Sequence, residues 1–198
     1  MQAASPTVAP LLLEPGRDLV DAHEIIAMTR RWLENSVIGL DLCPFAAGPY
    51  RDHRVHFCVT EERTAAGLLE SLCSELMELQ ASDPMDRETT LLIHPWVLND
   101  FEEYNRYLDV CDAAVQELGL EGELQVASFH PDYQFANTQR EDMGNFTNRS
   151  PYPMLHLLRE ASVERAIAAV GDTAEIYERN IRTLRELGHS GWQRLWRE

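Results

Sequence analysis

Lysine is absent from this chain of 198 residues, so all 17 of its strong cations are arginine. The simplest origin is the codon bias of a GC-rich genome, but the absence has chemical consequences. A lysine Schiff base is excluded, and so is a phosphate loop of the GKS or GKT kind. Any anion gripped by a side-chain cation is gripped by arginine, whose planar fork suits bidentate contacts. Basic charge is scarce as well: 33 Asp and Glu give a formal net charge of −16. That excludes the basic footprint of a nucleic-acid binder and opposes docking on anionic membranes.

Other signatures are missing too. The four cysteines, Cys43, Cys58, Cys73 and Cys111, form no CxxC, so neither a zinc ribbon nor a thioredoxin-type motif is available. There is no GxGxxG, no GxSxG and no HExxH. No apolar run is long enough for a bilayer, and Leu11 to Leu13, flanked by Pro10 and Pro15, is too short for a signal sequence. A reduced, cytoplasmic protein with four free thiols is the expectation.

What is present reads as one globular domain. Apolar content is 44% and charged content 25%, both ordinary. Residues 1–17, with three prolines, are expected to form a flexible arm, and residues 18–198 a single α/β domain. A helix is expected from Asp18 to Val37. Val55 to Thr60 alternates as a strand. Residues 62–80 carry leucines at helical spacing. Thr89 to Ile93 suits a strand buried on both faces. Asn99 and Glu102 resemble a capping box for the next helix, stopped by Gly119. Glu123 to Phe129 is a third strand. Pro153 is expected to open a helix reaching Val170, and Asp172 with Glu175 to cap a last one ended by Gly188. Trp192, Leu195 and Trp196 are expected to dock the tail. The expected fold is α/β: a small, mostly parallel sheet of about three strands in a β-α-β-α-β core, covered by an N-terminal helix and C-terminal helices. The alternative is a ferredoxin-like α+β arrangement, which needs a fourth strand.

The stretch Ser128 to Arg159 is the candidate site. It lacks a period yet is dense in His, Asp, Asn, Arg and aromatic residues; aperiodic loops of this length are usually either functional or disordered, and the aromatics argue against disorder. Two strands end in the same dipeptide, His94-Pro95 and His130-Pro131. If those strands are parallel, both imidazoles leave at the carboxyl edge of the sheet, where α/β proteins bind ligands. They would carry protons or hold one divalent metal ion, iron or zinc, with Asp132, Asp142, His156 or Cys43 as a further ligand. The alternative is that each His-Pro only turns the chain, with its imidazole bonded to backbone. Arg149, Asn145, Asn148 and Ser150, with Tyr133, would hold an anionic small molecule, although capping alone would explain the Asn and Ser. Cys43 is a candidate nucleophile beside either histidine, against the alternative of a buried structural thiol. Cys73 and Cys111 lie on helix apolar faces and belong to the core.

IGLDLCPFA at 38–46, LLIHP at 91–95, ASFHPDYQFA at 127–136 and NRSPYPMLHLLRE at 148–160 resemble the bacterial family catalogued as domain of unknown function 1415. The resemblance runs from about Asp18 to Val170. It implies a compact bacterial protein and supplies neither an activity nor catalytic residues. From the residues, the expectation is a small cytoplasmic enzyme, oxidative or hydrolytic, acting on an anionic small molecule at the carboxyl edge. The alternatives are a binding module for an anionic metabolite and a protein-interaction domain.

Overall fold

The strand Thr89–Ile93 (β2) is buried along its whole length, with one core layer packed on each of its two faces. The structure is a computed structural model that describes residues 21–170 and 173–195. The proposed arm, Asp18, Asp172 and Trp196 lie outside the described residues.

Helix α1, Ala22–Trp32, starts at Asp21, whose side chain accepts from the N–H of His23. It runs into a π-helical turn, Leu33–Ile38. A short helix α2, Ala47–Arg51, leads to β1, Val55–Val59. Helix α3, Ala65–Ala81, is capped by Thr64. After β2 comes α4, Phe101–Glu117, capped by Asp100, which accepts from the N–H of Glu103. The N-cap is therefore Asp100 rather than Asn99. Strand β3 is Leu124–Phe129, and Gly119 reverses the chain before it at φ 69°.

The expected helix from Pro153 begins instead as a strand, β4, Met154–Arg159, followed by α5, Glu160–Val170. Met and Leu are strong helix formers, so local propensity favoured the helix; two flanking strand edges override it. The sheet order is β1-β2-β4-β3. β1 and β2 are parallel, whereas β4 is antiparallel to both β2 and β3. The three expected strands thus run in one direction, but β4 separates β2 from β3. The sheet is mostly antiparallel by pairing, which corrects the expected parallel one. The fourth strand does not make the fold ferredoxin-like, since the order is β-α-β-α-β-β rather than β-α-β-β-α-β.

Side-chain alternation divides the core. Leu92, Leu124, Leu155 and Leu157 face α3 and α4, where Leu68, Leu72, Leu76, Tyr104 and Cys111 meet them. Leu91, Ile93 and Met154 face the opposite way, toward Ile25, Trp32, Leu33 and Val37. The last helix, α6, Thr173–Arg194, breaks at Gly188 (φ 64°), which turns the chain so that Trp192 packs edge-on against Phe146 at 5.3 Å. Among the described residues, no helix is long and apolar enough to cross a membrane.

Candidate functional site

The carboxyl edge places the two His-Pro histidines together, as expected, but under cover. His94 and His130 are both fully buried, and both pack against the ring of Tyr104, at 5.7 and 5.0 Å between centroids. The Tyr104 hydroxyl donates to the Met154 carbonyl and accepts from the N–H of Phe129, so it ties β4 to β3. His94 Nδ1 bonds the Val97 carbonyl at 3.0 Å. His130 Nδ1 accepts from the N–H of Asp132, and its Nε2 donates to the Leu98 carbonyl at 3.2 Å. Leu98 sits at φ 57°, an unusual conformation for leucine, and presents that carbonyl. The two imidazoles therefore brace the turn between β2 and α4 by bonding backbone.

Those contacts fix the protonation of each ring. A carbonyl only accepts, so His94 carries its proton on Nδ1 and His130 on Nε2. His94 Nε2 is left as a buried lone pair without a partner among the described residues. Burial pushes the His94 pKa down to about 4, with His130 adding to the shift, and burial lowers that of His130 too. Both are neutral at pH 7.

The expected metal does not fit these residues. His130 has no free nitrogen, and no group of three or more His, Cys, Asp or Glu side chains among the described residues could hold a metal ion. Asp132 pairs with Arg140. Asp142 caps the 3-10 helix Met143–Thr147 by accepting from the N–H of Gly144.

The polar residues of the long loop are committed to the loop itself. Asn145, fully buried, accepts from the Phe135 N–H and the Thr138 hydroxyl and donates to the Gln139 carbonyl. Asn148 donates to the Ser128 carbonyl, and Ser150 to that of Tyr152. Arg149 donates to the carbonyls of Tyr133 and Arg140, and its guanidinium lies 4.1 Å over the ring of Phe146. Tyr133 packs between Phe101 and Phe135.

Cys43 and His156 lie across the sheet from the His94–His130 pair. Cys43 packs with the cluster containing Leu91 and Ile93, whereas Tyr104 belongs to the other layer. The sheet stands between Cys43 and either candidate base. Burial raises the Cys43 thiol pKa, which opposes thiolate formation.

On that side the fold leaves a cavity of about 560 Å³. Its floor is the sheet, with Leu91, Ala127, Phe129, His156 and Leu158. Trp32, Leu33 and Val37 form one wall, and Val163 and Ala166 of α5 another. Cys43, Phe45 and Pro49 close a third. Glu88 and Arg165, 3.7 Å apart, stand among the few charged lining residues. The walls are otherwise largely apolar, the usual character of a small-molecule site. A second hollow of about 530 Å³, at the far end of β3, is more open and lined by Asp112, Glu121 and Glu160 without His, Cys or Arg.

His156 is central to the cavity floor, paired with Leu91 on β2 and Ala127 on β3. Its Nε2 meets the Thr89 hydroxyl at 2.7 Å, and its ring tilts on Phe129 at 6.0 Å. The ring is half-buried, and desolvation lowers its pKa to about 4. Of the residues singled out in the sequence, His156 and Cys43 reach this cavity. Thr89, Trp32, Phe129 and Ala127 were not singled out as site residues. Thr89, a hydroxyl at the head of an apolar strand, and Ala127, a small residue in a strand of larger ones, were the available signals.

Comparison with curated proteins and with solved structures finds no match. One family model, described as a protein of unknown function (DUF1415), matches residues 24–194, and the chain belongs to that family.

Proposed function

We propose that the protein binds a small, mainly apolar molecule in the cavity between the sheet, α1 and α5, with His156 meeting the polar atom of that molecule. The carrying observation is the cavity itself. It is a partly open, largely apolar cleft of about 560 Å³ with a histidine in its floor, the character of a small-molecule site. That volume lies within the range of small-molecule pockets, roughly 300–1,000 Å³.

Desolvation lowers the pKa of His156 to about 4, so the ring is neutral at pH 7 and meets a ligand as a hydrogen-bond partner. The enzyme expected at the carboxyl edge, acting on an anionic molecule, has less support. Arg149 already donates to two carbonyls, and His130 has both nitrogens engaged.

A neutral, polarity-sensitive naphthalene dye tests the reading. It should bind the wild type at one site, with a blue shift in emission. Ala127→Trp, which places an indole beside His156, should abolish binding while circular dichroism stays native. A folded wild type that leaves the dye in water refutes the proposal.

A further inference from the structure

We propose that the ligand of this cavity offers a neutral hydrogen-bond donor, a hydroxyl or phenol, to Nδ1 of His156, and that the site disfavours carboxylates and phosphates. This inference rests on the cavity reading of the preceding section and assigns the chemistry of its ligand.

It follows from one hydrogen. The Thr89 hydroxyl lies 2.6 Å from the Leu157 carbonyl oxygen and 2.7 Å from His156 Nε2. The carbonyl can only accept, so the single hydroxyl hydrogen points to Leu157. The same oxygen must then accept from His156, which places the imidazole proton on Nε2. Nδ1 is left with a bare lone pair. It makes no hydrogen bond among the described residues, and it is not among the side-chain atoms sealed away without a partner. The ring lines the cavity, so the lone pair opens onto that space.

A donor placed there completes the chain: ligand to His156, His156 to Thr89, Thr89 to Leu157. An anionic oxygen would instead confront the lone pair and lose its hydration among apolar walls. Arg165, a cation among the lining residues, already pairs with Glu88 and donates to Ser162. The anionic metabolite expected from the sequence is replaced by an apolar body bearing one neutral donor.

Three naphthalenes of one shape distinguish the outcomes, measured by displacement of the neutral dye. 2-Naphthol should bind about five- to tenfold more tightly than 2-methoxynaphthalene, the effect of one net hydrogen bond. 2-Naphthoate should bind most weakly. His156→Phe should erase the preference for naphthol. Thr89→Val releases the imidazole to carry its proton on either nitrogen, so the preference should narrow and the methoxy compound gain. Long-range nitrogen–proton spectra of the ligand-free protein should show His156 protonated on Nε2 alone in the wild type. If the dye is displaced equally by naphthol and the methoxy compound, or best by naphthoate, the donor assignment is wrong and the cavity reading stands. If the folded protein takes up no dye, both fail.

Discussion

The indole N–H of Trp32 donates to the backbone carbonyl of Arg149 at 2.9 Å, joining the end of α1 to the long loop 117 residues away. Trp32 also walls the cavity and meets Phe129 edge-on at 5.3 Å. The cavity wall and the loop are thus mechanically one unit. The loop, which looks like a binding surface in sequence, spends the side chains of Asn145, Asn148 and Arg149 on hydrogen bonds to its own backbone.

Arg149 is the residue on which that distinction turns. Arg149→Met keeps the stem but loses two hydrogen bonds to carbonyls and the contact over Phe146. Stability should fall by about 2 kcal/mol, read from urea unfolding. Dye binding in the cavity should be unchanged. Were Arg149 a ligand-binding cation, inorganic phosphate would raise the melting temperature of the wild type and not of the variant; no such difference is expected.

Asn145 should matter more for stability than any other polar residue of the loop. Its fully buried amide accepts from the Phe135 N–H and donates to the Gln139 carbonyl, while the Thr138 hydroxyl beside it also reaches the Phe135 carbonyl. Asn145→Ala strands the Phe135 N–H and the Gln139 carbonyl and should cost about 2–3 kcal/mol. Asn145→Asp should be no better, because a carboxylate would face the Gln139 carbonyl that now accepts from the amide. Urea midpoints give the magnitude. Limited proteolysis should show earlier cleavage within residues 132–142; an unchanged cleavage pattern would mean the loop is held elsewhere.

The sequence carried the periodic elements well and β4 badly, for a physical reason. The helices α3 and α4 each show one apolar stripe, and β2 is a short apolar run between polar segments. Strand β4 is central, so Leu155 and Leu157 face one layer and Met154 and Leu158 the other, and no polar alternation marks it. Its partners β2 and β3 are fixed only in three dimensions. Missing β4 also hid the position of His156, whose meaning depends on Thr89 of β2 and Ala127 of β3. The pairing of His94 and His130 at one edge was legible from the repeated His-Pro after strands of common direction. Their burial was not, because it depends on how the turn at residues 94–98 folds back over them. The cavity could not be read from residue types at all, since a void is set by the distance between packed elements.

Leu155→Ala tests the position of β4 in the sheet. Leu155 has no exposed surface and packs in the layer with Leu92 and Tyr104. Truncation should cost about 3–4 kcal/mol, typical of a fully buried leucine that leaves a cavity. An exposed helical position would lose well under 1 kcal/mol. Equilibrium unfolding of the variant decides between them.

His94 makes acid stability the most diagnostic solution property of the fold. Its folded pKa is about 4, against 6.5 when unfolded, because burial disfavours the charged ring. The unfolded chain therefore binds the proton more readily across that window. The stability contributed by neutral His94 is complete above pH 6.5 and is lost as pH falls toward 4, at up to about 1.4 kcal/mol per pH unit. Across the window this is roughly 3 kcal/mol, and His156 acts in the same direction. Acid titration of carboxylates also changes stability, so the measurement is a difference between proteins rather than one curve. His94→Phe keeps a ring against Tyr104 and removes both the titration and the orphaned Nε2. Relative to wild type, the variant should gain about 3 kcal/mol between pH 7 and pH 4, whatever its stability at neutrality. A constant difference in urea unfolding free energy across that range would show that His94 is hydrated or paired in solution, and would reopen the carboxyl edge as a site where its Nε2 meets a ligand.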